Sequence, residues 1–394
     1  MRDFLLYKNA KTFTYAASIA ATWIWAPAIF VSSEKAYFDG IWGYLMFLIP
    51  NMLSLVLFGI FAQKVRFNVD EGVTLLDAID KADKRQKKLH LAVSLVVLVC
   101  SSYVQILGIH TLFISWFDLP KWVSAMTISI VALLTVGKSG LKSSIVTDMW
   151  KWVIMFVIGL VLVYNNFSNN SVPNFTGLSG KSPLTLWQTF GLSTAISLIS
   201  APYVDQTFWQ RVFSLDKNKV KKTFILASGL FGLIPLLFGT IGFFQSSINP
   251  SWSIGYAFNN GYFNLLLALC VISALLSTID SNLCAISSII IKEFDKDVNP
   301  GRWSMVALLS ISSVLMIFSS WTITDLFLIY GTIRTCIALP TILIVLDNYD
   351  SDRLFYSTLA AIIIAPIGYI IGGDYKWVFT VLALLVPVFG YKSK

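Results

Sequence analysis

The sequence predicts an all-α polytopic membrane protein with about twelve transmembrane helices. Three observations carry this. Of 394 residues, 56% are hydrophobic and 13% charged, with a mean hydropathy of +0.73. Apolar stretches of about twenty residues recur along the chain, each long enough to cross about 30 Å of hydrocarbon. The basic residues fall unevenly between alternate connections. A span without water around it must pair its own backbone groups, so helices follow. A transmembrane barrel would show alternating ten-residue segments, and the sequence has none.

The spans are predicted at 12–33, 41–62, 89–116, 122–136, 144–163, 184–203, 224–244, 262–291, 303–321, 323–346, 354–371 and 377–391. With residues 1–11 in the cytoplasm, the cytoplasmic segments hold 23 Lys and Arg. The external ones hold Lys35, Lys121, Lys181 and Lys376, and Lys151 and Arg334 lie inside spans. This is the positive-inside pattern, and the even count places both termini in the cytoplasm. The expected location is the cell inner (plasma) membrane. The formal net charge of +8 then reports orientation, not nucleic-acid binding. Met1–Lys11 leads straight into span one with no cleavable signal pattern. The connection Gln63–His90 is polar, and Val73–Ala82 within it is expected to be an interfacial helix. Asn165–Pro183 reads as an irregular external loop. Cys100, Cys270, Cys284 and Cys336 all fall in apolar spans, as small buried hydrophobes with no disulfide framework.

Two spans should be interrupted. In Ala20-Ala21-Thr22-Trp23-Ile24-Trp25-Ala26-Pro27, Pro27 has no N–H and its ring clashes with the Trp23 carbonyl, so span one should open a turn earlier. Span six carries Gly191, Ser193, Thr194, Ser197 and Ser200 before Pro202. These are the first and sixth positions, as two five-helix halves require; ordinary kinks with small packing residues are the alternative. Span eight places Ser277 and Thr278 near its middle, followed by Asp280 and Ser281. Hydroxyls beside freed carbonyls suit a hard monovalent cation. Hydrogen bonding to their own helix is the alternative. Asp280 is a carboxylate at membrane depth, which needs a partner or water. Arg334, mid-span ten, needs a counter-charge, with Asp280, Asp205 or a substrate carboxylate as candidates; a fixed ion pair and substrate binding both remain open.

These residues resemble the sodium:solute symporter family, whose fold is the LeuT-type 5+5 inverted repeat. Ala21 to Ala26, with Ser32-Ser33 and Ala36-Tyr37, is most similar to its urea-type branch. Gly140-Leu141-Lys142 with Thr147-Asp148 is similar to the signature entering the fifth core helix. Asp205 to Arg211 resembles the sixth-helix motif, and Ala274 to Ser281 with Ser287-Ser288 the eighth-helix sodium motif. The resemblance implies a transport core over 12–346, two peripheral helices over 354–391, and sodium as coupling ion. It implies a main sodium site from the carbonyls of Ala21, Ile24 and Ala274 and the hydroxyls of Ser277 and Thr278. The second sodium site of some members maps to Asp148, Ser277, Asp280 and Ser281, although Lys151 lies three residues past Asp148 on the same face. Substrate contact falls on Trp23, Trp25, Asp205 and Gln206, with Arg334 added on physical grounds; for the two tryptophans, packing or lipid contact is an equal alternative.

The expected function is sodium-coupled symport of a small polar solute (urea, amino acid or organic acid) by alternating access. A proton-coupled carrier and a non-transporting solute sensor are the rivals. With two histidines, no spaced metal set and no nucleophile triad, an enzyme is not expected.

Overall fold

The computed structural model describes residues 2–137, 139–169, 172–245, 254–258 and 260–392. Lys138 and Lys394 of the charge pattern, and residues 170 and 171 of the expected external loop, lie outside them.

Pro27 acts as its chemistry requires. Helix α1 (Thr12–Trp23) stops, Ile24 and Trp25 leave helical backbone, and α2 (Ala26–Asn68) starts with Pro27 in its first turn. The predicted span 12–33 is thus a broken rod. Its second piece runs further than expected. Residues 34–40, read as an external connection, stay helical up to Gly40, whose φ of 63° and ψ of −154° turn α2 into two legs. A Cβ on Gly40 would sit 2.4 Å from the Phe175 carbonyl oxygen. Ile41 N donates to that oxygen at 2.9 Å, and Leu178 N donates to Phe38 O at 2.7 Å. The segment 174–179 therefore clamps the elbow.

The chain continues through α3 (Lys84–Ile114), α4 (Lys121–Val136) and α5 (Leu141–Asn169). A short helix, Pro183–Leu186, and a wide turn, Trp187–Gly191, lead into α6 (Leu192–Val204) and α7 (Gln206–Ser214). Then come α8 (Val220–Gln245), α9 (Gly261–Glu293), α10 (Val298–Phe318), α11 (Ile323–Val345), α12 (Ser351–Ile371) and α13 (Lys376–Leu385).

Three expectations shift. The sixth span breaks at Asp205, not at Pro202, which stays inside α6. Asp205 turns extended, and its Oδ1 caps α7 by accepting from Thr207 N at 3.0 Å and Thr207 Oγ1 at 2.8 Å. Residues 206–214, read as part of a cytoplasmic loop, are a buried helix. The interfacial helix shortens to Leu75–Ala78, opened by a Thr74/Asp77 capping box.

Eight helices among the described residues are long and apolar enough to cross a membrane, and α4 and Lys376–Gly390 are shorter apolar helices. With α2 taken as two legs and α6–α7 as one broken rod, they trace the twelve expected passes. Helices α1, α2, α6 and α8 pack together, and α3, α4, α9 and α10 form a second group. α5 touches both groups through α1, α8 and α9, as α11 does through α6 and α3. Trp150, Val157, Leu134, Ile363 and Ile367 expose large apolar side chains outward, as a hydrocarbon solvent demands. On the same helices Ser124, Ser144, Asp148 and Thr358 are fully buried.

Candidate functional site

The break after Trp23 lies against the middle of α9. Thr278 Oγ1 donates to the Thr22 carbonyl at 3.0 Å, and Thr22 Oγ1 lies 2.8 Å from Ser281 Oγ. Ala21, Ile24, Ala274 and Ser277 are fully buried around this contact. Because α1 ends here, its last carbonyls lack the N–H groups of a following turn. Ile24 N alone reaches back, to Ala20 O at 2.9 Å and Ala21 O at 3.2 Å, and each oxygen keeps a second lone pair. Thr278 thus meets the end of α1 directly, and Ala21, Ile24, Ala274 and Ser277 lie within about a turn of the two contacting residues along their own segments, which makes this region rich in carbonyl and hydroxyl oxygens. Its carbonyls and hydroxyls suit a monovalent cation, the role that unwound backbone plays in transporters of broken-helix design.

Beside it lies a closed set of charges. Asp148 on α5 accepts at Oδ1 from Ser277 Oγ (2.7 Å). Its Oδ2 accepts from Ser18 Oγ (2.8 Å), Ser144 Oγ (3.2 Å) and Arg211 Nη2 (3.0 Å). Arg211 also donates from Nε to Ser18 Oγ (3.1 Å), from Nη1 to Thr207 O (3.0 Å) and from Nη2 to Ser281 Oγ (2.7 Å). Asp280 accepts from Thr135 Oγ1 at 2.6 Å and is ion-paired with Lys151, whose Nζ stands 3.7 Å from Asp148. Both carboxylates and Arg211 are fully buried. The residues expected for a second sodium do converge, but two of the protein's own cations fill the set. Lys151 makes its closer pair across to α9, not along its own helix. Arg211, counted as a loop charge in the sequence, is the main residue that reading missed; the signal was the Asp205-Gln206-Thr207 cap, which starts a helix one turn before it.

Trp23 and Trp25 point inward, not to lipid. Their rings stack with centroids 5.7 Å apart, and Trp23 Nε1 donates to Asn51 O at 3.3 Å. Trp25 meets Phe327 and Tyr330 edge-on at 5.3 and 5.5 Å. Arg334 lies over Tyr330 at 4.1 Å and Trp25 at 5.3 Å, with 1% of its surface exposed. Its Nε and Nη2 find no hydrogen-bond partner among the described residues, and neither do the buried Trp25 Nε1, Asn51 Oδ1, Thr194 Oγ1 and Ser197 Oγ. Of the expected partners, Asp280 is taken by Lys151. Asp205 is near enough to act electrostatically on Arg334 but forms no ion pair with it within 4.0 Å. Gln206 departs from expectation. Its Oε1 accepts from Leu75 N at 2.8 Å, and its Nε2 donates to Val73 O at 2.9 Å and Ser288 Oγ at 3.0 Å. It anchors the 73–75 connection, with both Nε2 hydrogens and one Oε1 lone pair committed to the protein.

A cavity of about 410 Å³ opens where Phe30, Glu34, Leu107 and Thr111 meet residues 321–324. Phe30 is one turn above Ala26, the first residue after the break, whose N–H donates to Gln105 Oε1 at 2.8 Å.

No family model matches the chain. It is 24% identical over 176 residues to the urea active transporter of Saccharomyces cerevisiae, a match covering 42% of this chain and 23% of that protein, so the chain spans less than a quarter of that relative. Among solved structures it is similar to a substrate-bound, outward-open Na+-coupled sialic acid symporter (TM-score 0.76, 14% identity, 99% of this chain and 91% of that one). It is also similar to Mhp1, a nucleobase-cation-symport-1 family transporter, closed with bromovinylhydantoin bound (TM-score 0.70, 12% identity, 98% and 94%). These relatives are transporters, not enzymes. The chain has the LeuT-type fold: α1–α5 and α6–α11 are its two halves, each opening with an interrupted rod, and two helices follow.

Proposed function

We propose that this protein is a secondary active transporter that couples sodium entry to import of a small polar organic solute by alternating access. The observation that carries the reading is the broken rod at Ile24–Trp25 lying against Ser277 and Thr278, with Thr278 Oγ1 3.0 Å from Thr22 O. The sodium-coupled sialic acid symporter among the structural neighbours and the urea transporter among the sequence relatives support it. The proposed ligands are the carbonyls of Ala21, Ile24 and Ala274 and the hydroxyls of Ser277 and Thr278. Residues 12–346 form the transport core and 354–391 a peripheral pair. The excess of Lys and Arg on the side of both termini supports a cytoplasmic placement of that side in the plasma membrane.

Sodium bound at the break fixes the Ile24–Trp25 segment, and Trp25 then presents its ring to the solute. Each ligand drives the cycle only through its preference for one conformation over the other. A positive ion moving inward also gains about 2.3 kcal/mol per 100 mV. The expected outcome in proteoliposomes is that Ser277→Ala with Thr278→Ala reduces uptake under an inward sodium gradient to the level seen in potassium, with an unchanged elution profile. Sodium stimulation that survives the double change refutes the site.

Because Lys151 and Arg211 hold both carboxylates of the second set, the reading also predicts one sodium per cycle. Initial uptake against sodium concentration should fit a Hill coefficient near one; a value approaching two would mean a second ion displaces one of these side chains. The same ion pairs favour a second reading, proton coupling through the Lys151–Asp280 pair. Uptake driven by a pH gradient without sodium would support it over the first.

A further inference from the structure

The buried face of Arg334 carries information on the solute. The two unpartnered atoms, Nε and Nη2, are not scattered. They form one edge of the guanidinium, the side-on fork whose parallel N–H groups match the two oxygens of a carboxylate. The guanidinium carbon lies over the Tyr330 ring at 4.1 Å and the Trp25 ring at 5.3 Å, so two aromatic faces pack against the group. A buried guanidinium edge without a protein acceptor is costly to leave unpaired, so an acceptor belongs there when the site is loaded. The protein supplies none: no Asp or Glu among the described residues pairs with Arg334.

Charge balance narrows the choice. Asp205, at the break between α6 and α7, lies within electrostatic reach of Arg334, and its cap to Thr207 uses only Oδ1. Arg334 and Asp205 together are neutral but too far apart to neutralise each other directly. A solute that was only an anion would pair with Arg334 but leave the buried Asp205 carboxylate without a cation of its own, and one that was only a cation would leave Arg334 without an anion. A solute carrying both charges pairs both. Urea is neutral, but it offers one oxygen to a two-pronged donor.

We propose that the solute is a small zwitterion of the α-amino acid class, with its carboxylate on the Nε–Nη2 fork of Arg334, its ammonium toward Asp205 and its side chain against Trp25, Tyr330 and Phe327. The proposal deepens the transport reading, and rests on it for the use of the region around Arg334 and Trp25 as the solute site. The buried unpaired Trp25 Nε1 and Ser197 Oγ supply further polar contacts on the same walls.

The test is ligand binding to the purified full-length protein in sodium-containing detergent buffer. The probes are an equimolar mixture of neutral α-amino acids, their α-amides, their deaminated carboxylic acids, and urea. The mixture should bind, and the amides and deaminated acids should each bind at least about thirtyfold more weakly. Arg334→Gln should abolish binding, and Arg334→Lys should not restore it, since an ammonium has no fork. Asp205→Asn should lose the preference for amino acids over the deaminated acids. Urea, amides or simple acids binding as tightly as amino acids, no binding of the mixture, or amino acid binding that survives Arg334→Gln would each overturn the proposal. The ligand series on the unaltered protein decides the matter even if the variants misfold. Sodium-driven urea uptake without amino acid binding would sink the solute class alone. Amino acid binding without any gradient-driven uptake would sink the transport reading alone.

Discussion

Replacing Arg211 with methionine is expected to destabilise the protein by about 3–5 kcal/mol, because it strips a fully buried carboxylate of its charge partner. Arg211 reaches Asp148 at 3.0 Å, Ser281 at 2.7 Å and Ser18 at 3.1 Å, so one side chain joins α7 to α5, α9 and α1. Methionine fills much of the volume but supplies no donors. Asp148 keeps Ser18, Ser144 and Ser277, yet these are neutral, and Lys151 stands off at 3.7 Å. The double change Arg211→Met with Asp148→Asn removes the charge while keeping the shape, and should recover most of the loss. Thermal unfolding in detergent, followed by tryptophan fluorescence, reads both. If the single variant melts like the parent, or the double variant like the single, the buried pair is not what holds these helices.

Gly40→Ala should cost about 3 kcal/mol or more, although it adds one methyl group. The backbone at φ 63° and ψ −154° lies in a region reserved almost wholly for glycine, which alone costs about 1–3 kcal/mol for another residue. The new Cβ would also face Phe175 O at 2.4 Å and Thr176 O at 2.7 Å, main-chain atoms that cannot rotate away. The loop must lift, and the hydrogen bonds from Ile41 N and Leu178 N open with it. Hydrogen exchange at those two amides should rise well above the parent's, while exchange in α9 stays slow. Unchanged protection at Ile41 and Leu178 would show that the elbow bends elsewhere.

The parts of this architecture that chain-local chemistry dictates were legible. Pro27 lacks an N–H and its ring crowds the carbonyl one turn back, and α1 stops at that turn. Ser277 and Thr278 could be picked out because two hydroxyls followed by Asp280 and Ser281 are unusual at that depth. Pro202 misled, since a helix absorbs a proline when neighbours take up the freed carbonyl. The real break came from Asp205, whose capping role shows only through Thr207 two residues on. Gln206 and Arg211 were out of reach for a different reason. Their partners, Leu75 and Asp148, are 131 and 63 residues away in the chain. Counting basic residues per connection treats each as solvated, which is wrong for the one that folds back inside. For Arg334 the sequence left ion pair and ligand contact both open, because whether a carboxylate from another helix reaches it is a matter of packing, and among the described residues none does within 4.0 Å.

The carboxylate of Asp148 holds two half-rods at once, α1 through Ser18 and α7 through Arg211, and these belong to opposite halves of the repeat. Ser18 also accepts from Arg211, so the two half-rods are tied to each other as well as to α5. If either swings away, the anchor loses part of its shell and grips the other less firmly. On the proposed transport cycle their departures would reinforce one another, so the two half-rods would part together rather than singly.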